Sequence, residues 1–191
     1  MKPADLAAPL WIDSVVVDRC GGVIGMTLCP GKRGAPFFPG DRDLDIDLAA
    51  IRDWGASALV SLMEMEEMEW FGVTELPDKA VELGLRHYHL PITDMDVPGK
   101  RFEENWQTAG EELKGLLLAG EAIVIHCLAG LGRTGTVAAR LLIELGMEPE
   151  AAVRHIRQAR PGTIQSMVQE VYVRRCKWRQ PRSTKGCPGR S

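Results

Sequence analysis

The segment His126-Cys127-Leu128-Ala129-Gly130-Leu131-Gly132-Arg133-Thr134 brings a nucleophile, a permanent cation and two glycines together in one short stretch. It follows the unbroken apolar run Ala122-Ile123-Val124-Ile125, the pattern of a strand buried on both faces. From Thr134 to Leu145 the apolar residues return at helical spacing, with Gly146 as the stop. A strand–loop–helix junction of this kind turns several backbone N–H groups toward one point, and the positive pole of the helix adds to the potential there. Gly130 and Gly132 let the backbone curl into an anion nest that residues bearing a Cβ would resist. Arg133 offers a planar fork that holds two phosphate oxygens at once, as a lysine cannot.

A cysteine at a strand end, met alone, reads as a buried structural thiol. Followed by this loop and Arg133, Cys127 reads as a nucleophile, because the same positive surroundings favour its ionised sulfur. A thiolate held beneath a bound phosphoryl group is placed to attack it and form a phosphocysteine, which water then hydrolyses. Leu128 to Arg133 would stabilise the equatorial oxygens through the transition state.

His126 to Thr134 resembles the H-C-x5-R-[S/T] signature of the protein tyrosine phosphatase superfamily. The resemblance implies Cys127 as nucleophile and Arg133 as phosphate binder. It implies further that Thr134 offers its hydroxyl to the leaving sulfur and that His126 buttresses the loop. The superfamily takes its general acid from a separate upstream loop. Pro91-Ile92-Thr93-Asp94-Met95-Asp96-Val97-Pro98 stands in that place, with Asp94 as the acid and Asp96 as the alternative. Gly162-Thr163-Ile164-Gln165-Ser166 resembles the loop whose glutamine positions the hydrolytic water, a role that falls to Gln165; a polar residue opening a helix is its other reading. A narrower resemblance is to dual-specificity phosphatases of the cyclin-dependent kinase inhibitor 3 type. It rests on Leu28-Cys29-Pro30-Gly31, Pro91-Ile92-x-Asp94, Gly130-Leu131-Gly132-Arg133 and Thr163-Ile164-Gln165-Ser166, departing where Met95-Asp96 replaces small residues.

The elements that must position these residues alternate strand and helix, which predicts an α/β fold with a central, mostly parallel sheet flanked by helices. Strands are expected over Trp11–Val17, Val23–Leu28, Ala58–Leu62, Arg86–Leu90 and Ala122–Ile125. Helices are expected after the N-cap Asp43, from Pro77 with Val81 and Leu83 buried, and from Phe102 to near Gly120. Further helices are expected over Thr134–Leu145, Pro149–Ala159 and Ser166–Trp178. The Met63–Phe71 run alternates methionine and glutamate, so its period is ambiguous, and it reads as a surface segment rather than a binding motif. Trp54, Trp70 and Trp106 fall at apolar helical positions and read as core. His87 and His89 share a strand face; without a third ligand nearby they read as packed or hydrogen-bonded rather than as a metal pair.

The 191 residues suit one phosphatase domain over residues 1–179 and a basic, disordered tail over 180–191. Formal net charge is -3, yet after Glu170 come seven basic residues and no acidic one. That end reads as a solvated tail, with a basic arm for an acidic partner as the sharper reading. Five cysteines without C-x-x-C spacing argue against a disulfide framework or zinc site and for a reducing cytoplasm, and no apolar stretch is long enough to span a membrane. Cys20, Cys29, Cys176 and Cys187 read as ordinary buried or tail thiols. No metal, cofactor or nucleic acid is expected. Leu128 and Leu131 stand where phosphoinositide phosphatases of the superfamily often carry lysines, so a single phosphoryl group on a protein suits the loop better than a polyphosphorylated lipid. The expected partner is a phosphoprotein; the resemblance alone suggests a protein kinase. Two other functions fit the loop taken by itself, rhodanese-like sulfur transfer and non-catalytic binding of phosphoproteins.

Overall fold

A computed structural model describes residues 9–17, 21–34 and 40–177. Five strands form one sheet: β1 (Asp13–Val16), β2 (Val23–Thr27), β3 (Ala56–Ser61), β4 (Arg86–His89) and β5 (Ala122–His126), in the order β1-β2-β5-β3-β4. Only β1 runs antiparallel, so the sheet is mostly parallel as the alternation predicts. β5 lies between β2 and β3 and meets helices on both faces, which is why its residues form an unbroken apolar run.

The pleat divides the core in two. Ile123 and Ile125 enter a cluster with α4 (Lys100–Leu118), α5 (Gly132–Glu144), α6 (Pro149–Ala159) and Val173 of α7 (Met167–Arg175). Val124 faces the opposite cluster with α1 (Leu44–Asp53), α2 (Met65–Trp70) and α3 (Leu76–Glu82). Continuing that alternation places the Cys127 side chain with the first layer and His126 toward the second.

Asp43 caps α1 as expected, its Oδ1 accepting from the Ile46 amide at 3.0 Å. Two expectations fail by phase. Val81 is 59% exposed because α3 buries Leu76 and Ala80 instead. The Met/Glu run is helical over α2, where only Met68 is buried and Trp70 is 80% exposed, so Trp70 is not core. Trp106 is buried and stacks on Phe102 with ring centroids 5.1 Å apart. Arg140 of α5 lies over both rings, 4.8 Å from Trp106 and 5.6 Å from Phe102, and pairs with Glu103 of α4 and the Tyr172 hydroxyl of α7. That junction fixes α7, whose first turn reaches the site. Trp178, Cys20, Cys187 and the 180–191 tail lie outside the described residues. Among the described residues no helix is long and apolar enough to cross a membrane.

Candidate active site

The loop between β5 and α5 is held from outside through its carbonyls. His126 O accepts from Leu62 N at 3.0 Å, and Leu128 O from Cys29 N at 3.0 Å. Cys127 O faces His126 Nδ1 at 3.3 Å. Arg160 donates through Nη2 to Ala129 O at 3.1 Å and through Nε to Gly130 O at 2.7 Å. Leu131 O accepts from Gly135 N and Ile164 N. In a trans peptide the N–H points opposite to the carbonyl before it, so with the carbonyls anchored outward the N–H groups of Cys127 to Gly132 turn inward as an anion nest.

The two glycines serve different purposes. Gly130 has φ 71°, and a Cβ there would sit 2.2 Å from Thr27 O. Gly132 is already the first residue of α5; a Cβ there would meet Gln165 Oε1 at 2.9 Å and the Gln169 amide at 3.0 Å. Only Gly130 is needed for the curl.

Cys127 is 3% exposed and Arg133 1% exposed. The guanidinium of Arg133 is aimed by Glu67 of α2, by Ile92 O at 3.0 Å and by Asp94 Oδ1 at 3.0 Å. Burial works against its charge, but the Glu67 hydrogen bonds together with the Cys127 sulfur and Asp94 more than offset this, and its pKa is raised. Arg133 Nε and Thr134 Oγ1 are buried without a hydrogen-bond partner among the described residues. Both orphans belong to residues of the signature, and a buried polar group left in that state invites a ligand atom.

The acid loop is pinned on both sides. Thr93 Oγ1 donates to Glu64 Oε1 at 3.2 Å, Ser166 Oγ to Met95 O at 3.0 Å, and Gln169 Nε2 to Asp96 O at 3.1 Å. Met95 takes φ 60°, unusual for a non-glycine residue, at the turn where these bonds converge. Asp94 directs its carboxyl at Arg133, whereas Asp96 spends its own on the Val97 amide at 2.8 Å. Gln165 is exposed with its amide oxygen over Gly132, and its backbone N–H donates to Gln169 Oε1 at 3.0 Å.

The structure therefore brings Cys127, Arg133, Thr134, Asp94 and Gln165 around one loop. Sequence reading missed Glu67, Arg160 and Gln169. Glu67 lay in the run taken for surface, and its signal was the pair Glu64 and Glu67 at capping spacing. Gln169 had the same kind of signal, the capping spacing of Ser166 and Gln169, whereas Arg160 carried none, since its contacts are made far along the chain. His87 and His89 are hydrogen-bonded, as expected, to Ser61 Oγ at 2.8 Å and to Met63 O at 2.8 Å.

A parallel-centred sheet whose middle strand feeds such a loop defines a cysteine-based phosphatase fold. Residues 39–147 match the family described as "Polymorphic toxin system, DSP-PTPase phosphatase". The chain belongs to this dual-specificity and protein tyrosine phosphatase family. It is 32% identical to a probable protein tyrosine phosphatase type IVA A of Dictyostelium discoideum over 66% of this chain and 70% of that protein. It is 29% identical to cyclin-dependent kinase inhibitor 3 of Rattus norvegicus over 90% of this chain and 81% of that protein. A crystal structure of kinase associated phosphatase, with serine in place of the catalytic cysteine, superposes with a TM-score of 0.77 at 26% identity, covering 87% of this chain and 93% of that one. The chain is a cysteine-dependent protein phosphatase, a phosphoric monoester hydrolase; sulfur transfer and a purely binding role are not favoured.

Proposed function

We propose that the chain hydrolyses phosphotyrosine, and phosphoserine or phosphothreonine, on a protein substrate in two steps. Cys127 Sγ attacks phosphorus as the substrate oxygen departs, and the Asp94 carboxyl protonates that oxygen. Water, oriented by Gln165, then attacks the phosphocysteine while Asp94 takes up a water proton. Phosphate is released and the sulfur, met by the Thr134 hydroxyl, regains its electron pair. Arg133 and the N–H groups of Leu128, Ala129, Gly130, Leu131 and Gly132 hold the equatorial oxygens, with His126 as loop support.

One observation carries this assignment of roles: among the described residues, Arg133 Nε and Thr134 Oγ1 are buried and unpartnered directly after a loop whose carbonyls are turned away. Leu128 and Leu131 supply no cation for additional phosphates, which supports a singly phosphorylated protein as substrate. A protein kinase is the partner class suggested by the relatives named cyclin-dependent kinase inhibitor 3 and kinase associated phosphatase. The free thiols of Cys29, Cys127 and Cys176 suit work in the reducing cytoplasm. The single domain is proposed to span residues 1–179.

The test is a panel of phosphopeptides and p-nitrophenyl phosphate assayed with wild type and Cys127→Ser. Turnover by wild type, block by vanadate, and loss of turnover with retained phosphopeptide capture in the variant support the reading. Thiosulfate turnover without phosphatase activity, or tight capture without hydrolysis by wild type, overturns it.

A further inference from the structure

Behind the nucleophile runs a chain of polar side chains that the two-step chemistry does not use. Ser61 and His126 end the neighbouring strands β3 and β5 and pair in register. Both are fully buried, and Ser61 Oγ lies 2.6 Å from His126 Nε2. On its other side Ser61 Oγ lies 2.8 Å from Nε2 of His87, a half-buried residue of β4. The far ring nitrogen of His126, Nδ1, faces the carbonyl of Cys127 at 3.3 Å.

The partners decide the proton positions. A carbonyl only accepts, so His126 Nδ1 carries hydrogen. Burial keeps the ring neutral, with its pKa pushed down to about 3, so Nε2 must accept and the Ser61 hydroxyl must donate to it. That spends the only proton Ser61 has. Its oxygen must then accept from His87, which is likewise held neutral by burial and by the nearby His89, down to about 4, as the Nε2–H tautomer. Every member then points the same way, from His87 Nε2–H to Ser61 to His126 and on to Cys127 O.

We propose that His87 is a positioning residue for the catalytic loop, setting the tautomer of His126 through Ser61. Without the His87 donor, the Ser61 hydroxyl is free to rotate and accept from an Nε2–H form of His126. That form presents a lone pair to Cys127 O and releases this carbonyl. The carbonyl shares a peptide plane with Leu128 N–H, the first donor of the anion nest after the nucleophile, so a loosened carbonyl misaims that donor. The inference rests on the phosphatase reading of the loop, but its spectroscopic part does not.

The experiment compares wild type, His87→Phe, His87→Gln and Ser61→Ala by long-range proton–nitrogen NMR of the imidazoles and by steady-state kinetics on p-nitrophenyl phosphate. Wild type should show His126 as the Nδ1–H tautomer and His87 as Nε2–H. In His87→Phe, His126 should become a mixture of tautomers and kcat should fall roughly tenfold, with KM moving less than about twofold. His87→Gln, whose side-chain N–H can reach the same oxygen, should recover the single tautomer and most of kcat. Ser61→Ala removes the acceptor that an Nε2–H form needs and should keep His126 as Nδ1–H alone, whereas a further variant, His87→Leu, should give the same mixture as His87→Phe, which keeps the test decisive if the phenylalanine variant does not fold. An unchanged His126 tautomer in both His87→Phe and His87→Leu, a mixture in Ser61→Ala, or equal impairment in Phe and Gln, overturns the proposal. Absence of hydrolysis in wild type would remove the phosphatase reading, while the tautomers would still decide the hydrogen-bond chain.

Discussion

Arg133 and Glu67 meet two atoms on two, Nη1 at 2.6 Å from Oε2 and Nη2 at 2.9 Å from Oε1, although they lie 66 residues apart in the chain. Glu67 Oε2 also accepts from the Glu64 amide at 2.9 Å, so the first turn of α2 and the phosphate-binding arginine share one carboxylate. The pairing fixes the plane of the guanidinium, and hence the direction of Nε, which has no partner among the described residues. Glu67→Gln should lower kcat/KM roughly tenfold, and Glu67→Ala further with a rise in KM, because the arginine keeps its charge and loses its aim. Leaving the arginine short of a partner should also cost about 1–3 kcal/mol of stability, read by urea denaturation. Wild-type kinetics in Glu67→Ala would reduce the pair to a fold contact.

The two acid-loop aspartates make opposite use of their carboxyls, Asp94 toward Arg133 and Asp96 toward its own backbone. Asp94→Ala should lower kcat by about 10²–10⁴ with a poor leaving group such as phosphotyrosine, leaving phosphopeptide capture by Cys127→Ser/Asp94→Ala intact. Asp96→Ala should act mildly, through the shape of the loop. A larger loss in Asp96→Ala than in Asp94→Ala would exchange their roles.

What was legible in the sequence depended on the range of the interactions. The loop chemistry could be read because Cys127, Gly130, Arg133 and Thr134 are close in sequence and act as a unit. The strand of Ala122–His126 could be read because burial on both faces leaves a continuous apolar run. Glu67 could not be read as functional: a six-residue helix spans less than two turns, too few to establish a period, and its partner lies on another element. Arg160 was equally silent. It joins Ala129 O and Gly130 O to Asp13, 2.6 Å away on β1, and those contacts exist only once α6 has packed beside the sheet. Trp70 misled for the opposite reason, since an indole in a short helix can face water when Met68 already fills the core position.

The glycines of the loop should separate under substitution. Gly130→Ala puts a Cβ 2.2 Å from the Thr27 carbonyl at a positive φ, where neither backbone can yield cheaply. It should abolish phosphatase turnover and lower the thermal midpoint. Gly132→Ala meets the ends of the Gln165 and Gln169 side chains rather than backbone, so the fold should survive. Its effect should fall on hydrolysis of the phosphocysteine, seen as a burst of nitrophenol followed by slow turnover. Equal loss of stability in the two variants would contradict this division.

Acid stability should report on the buried histidines. His126 is pushed down to about 3 by burial, and His87 down to about 4 by burial and the nearby charge of His89, against an ordinary value of 6.5. The unfolded chain therefore takes up protons near pH 6.5 that the folded protein refuses, so across this window the unfolded state binds more protons and stability rises with pH. The contribution is fully present above about pH 6.5 and is lost as pH falls toward about 4 for His87 and toward about 3 for His126. Each histidine should cost about 1.4 kcal/mol per pH unit within its window. Urea denaturation between about pH 6.5 and about pH 4 should show that slope, and His87→Gln should remove one proton's share of it while leaving the share of His126. Identical slopes for wild type and His87→Gln would mean that His87 titrates alike in the folded and unfolded chain, and would remove the burial argument for its neutral form.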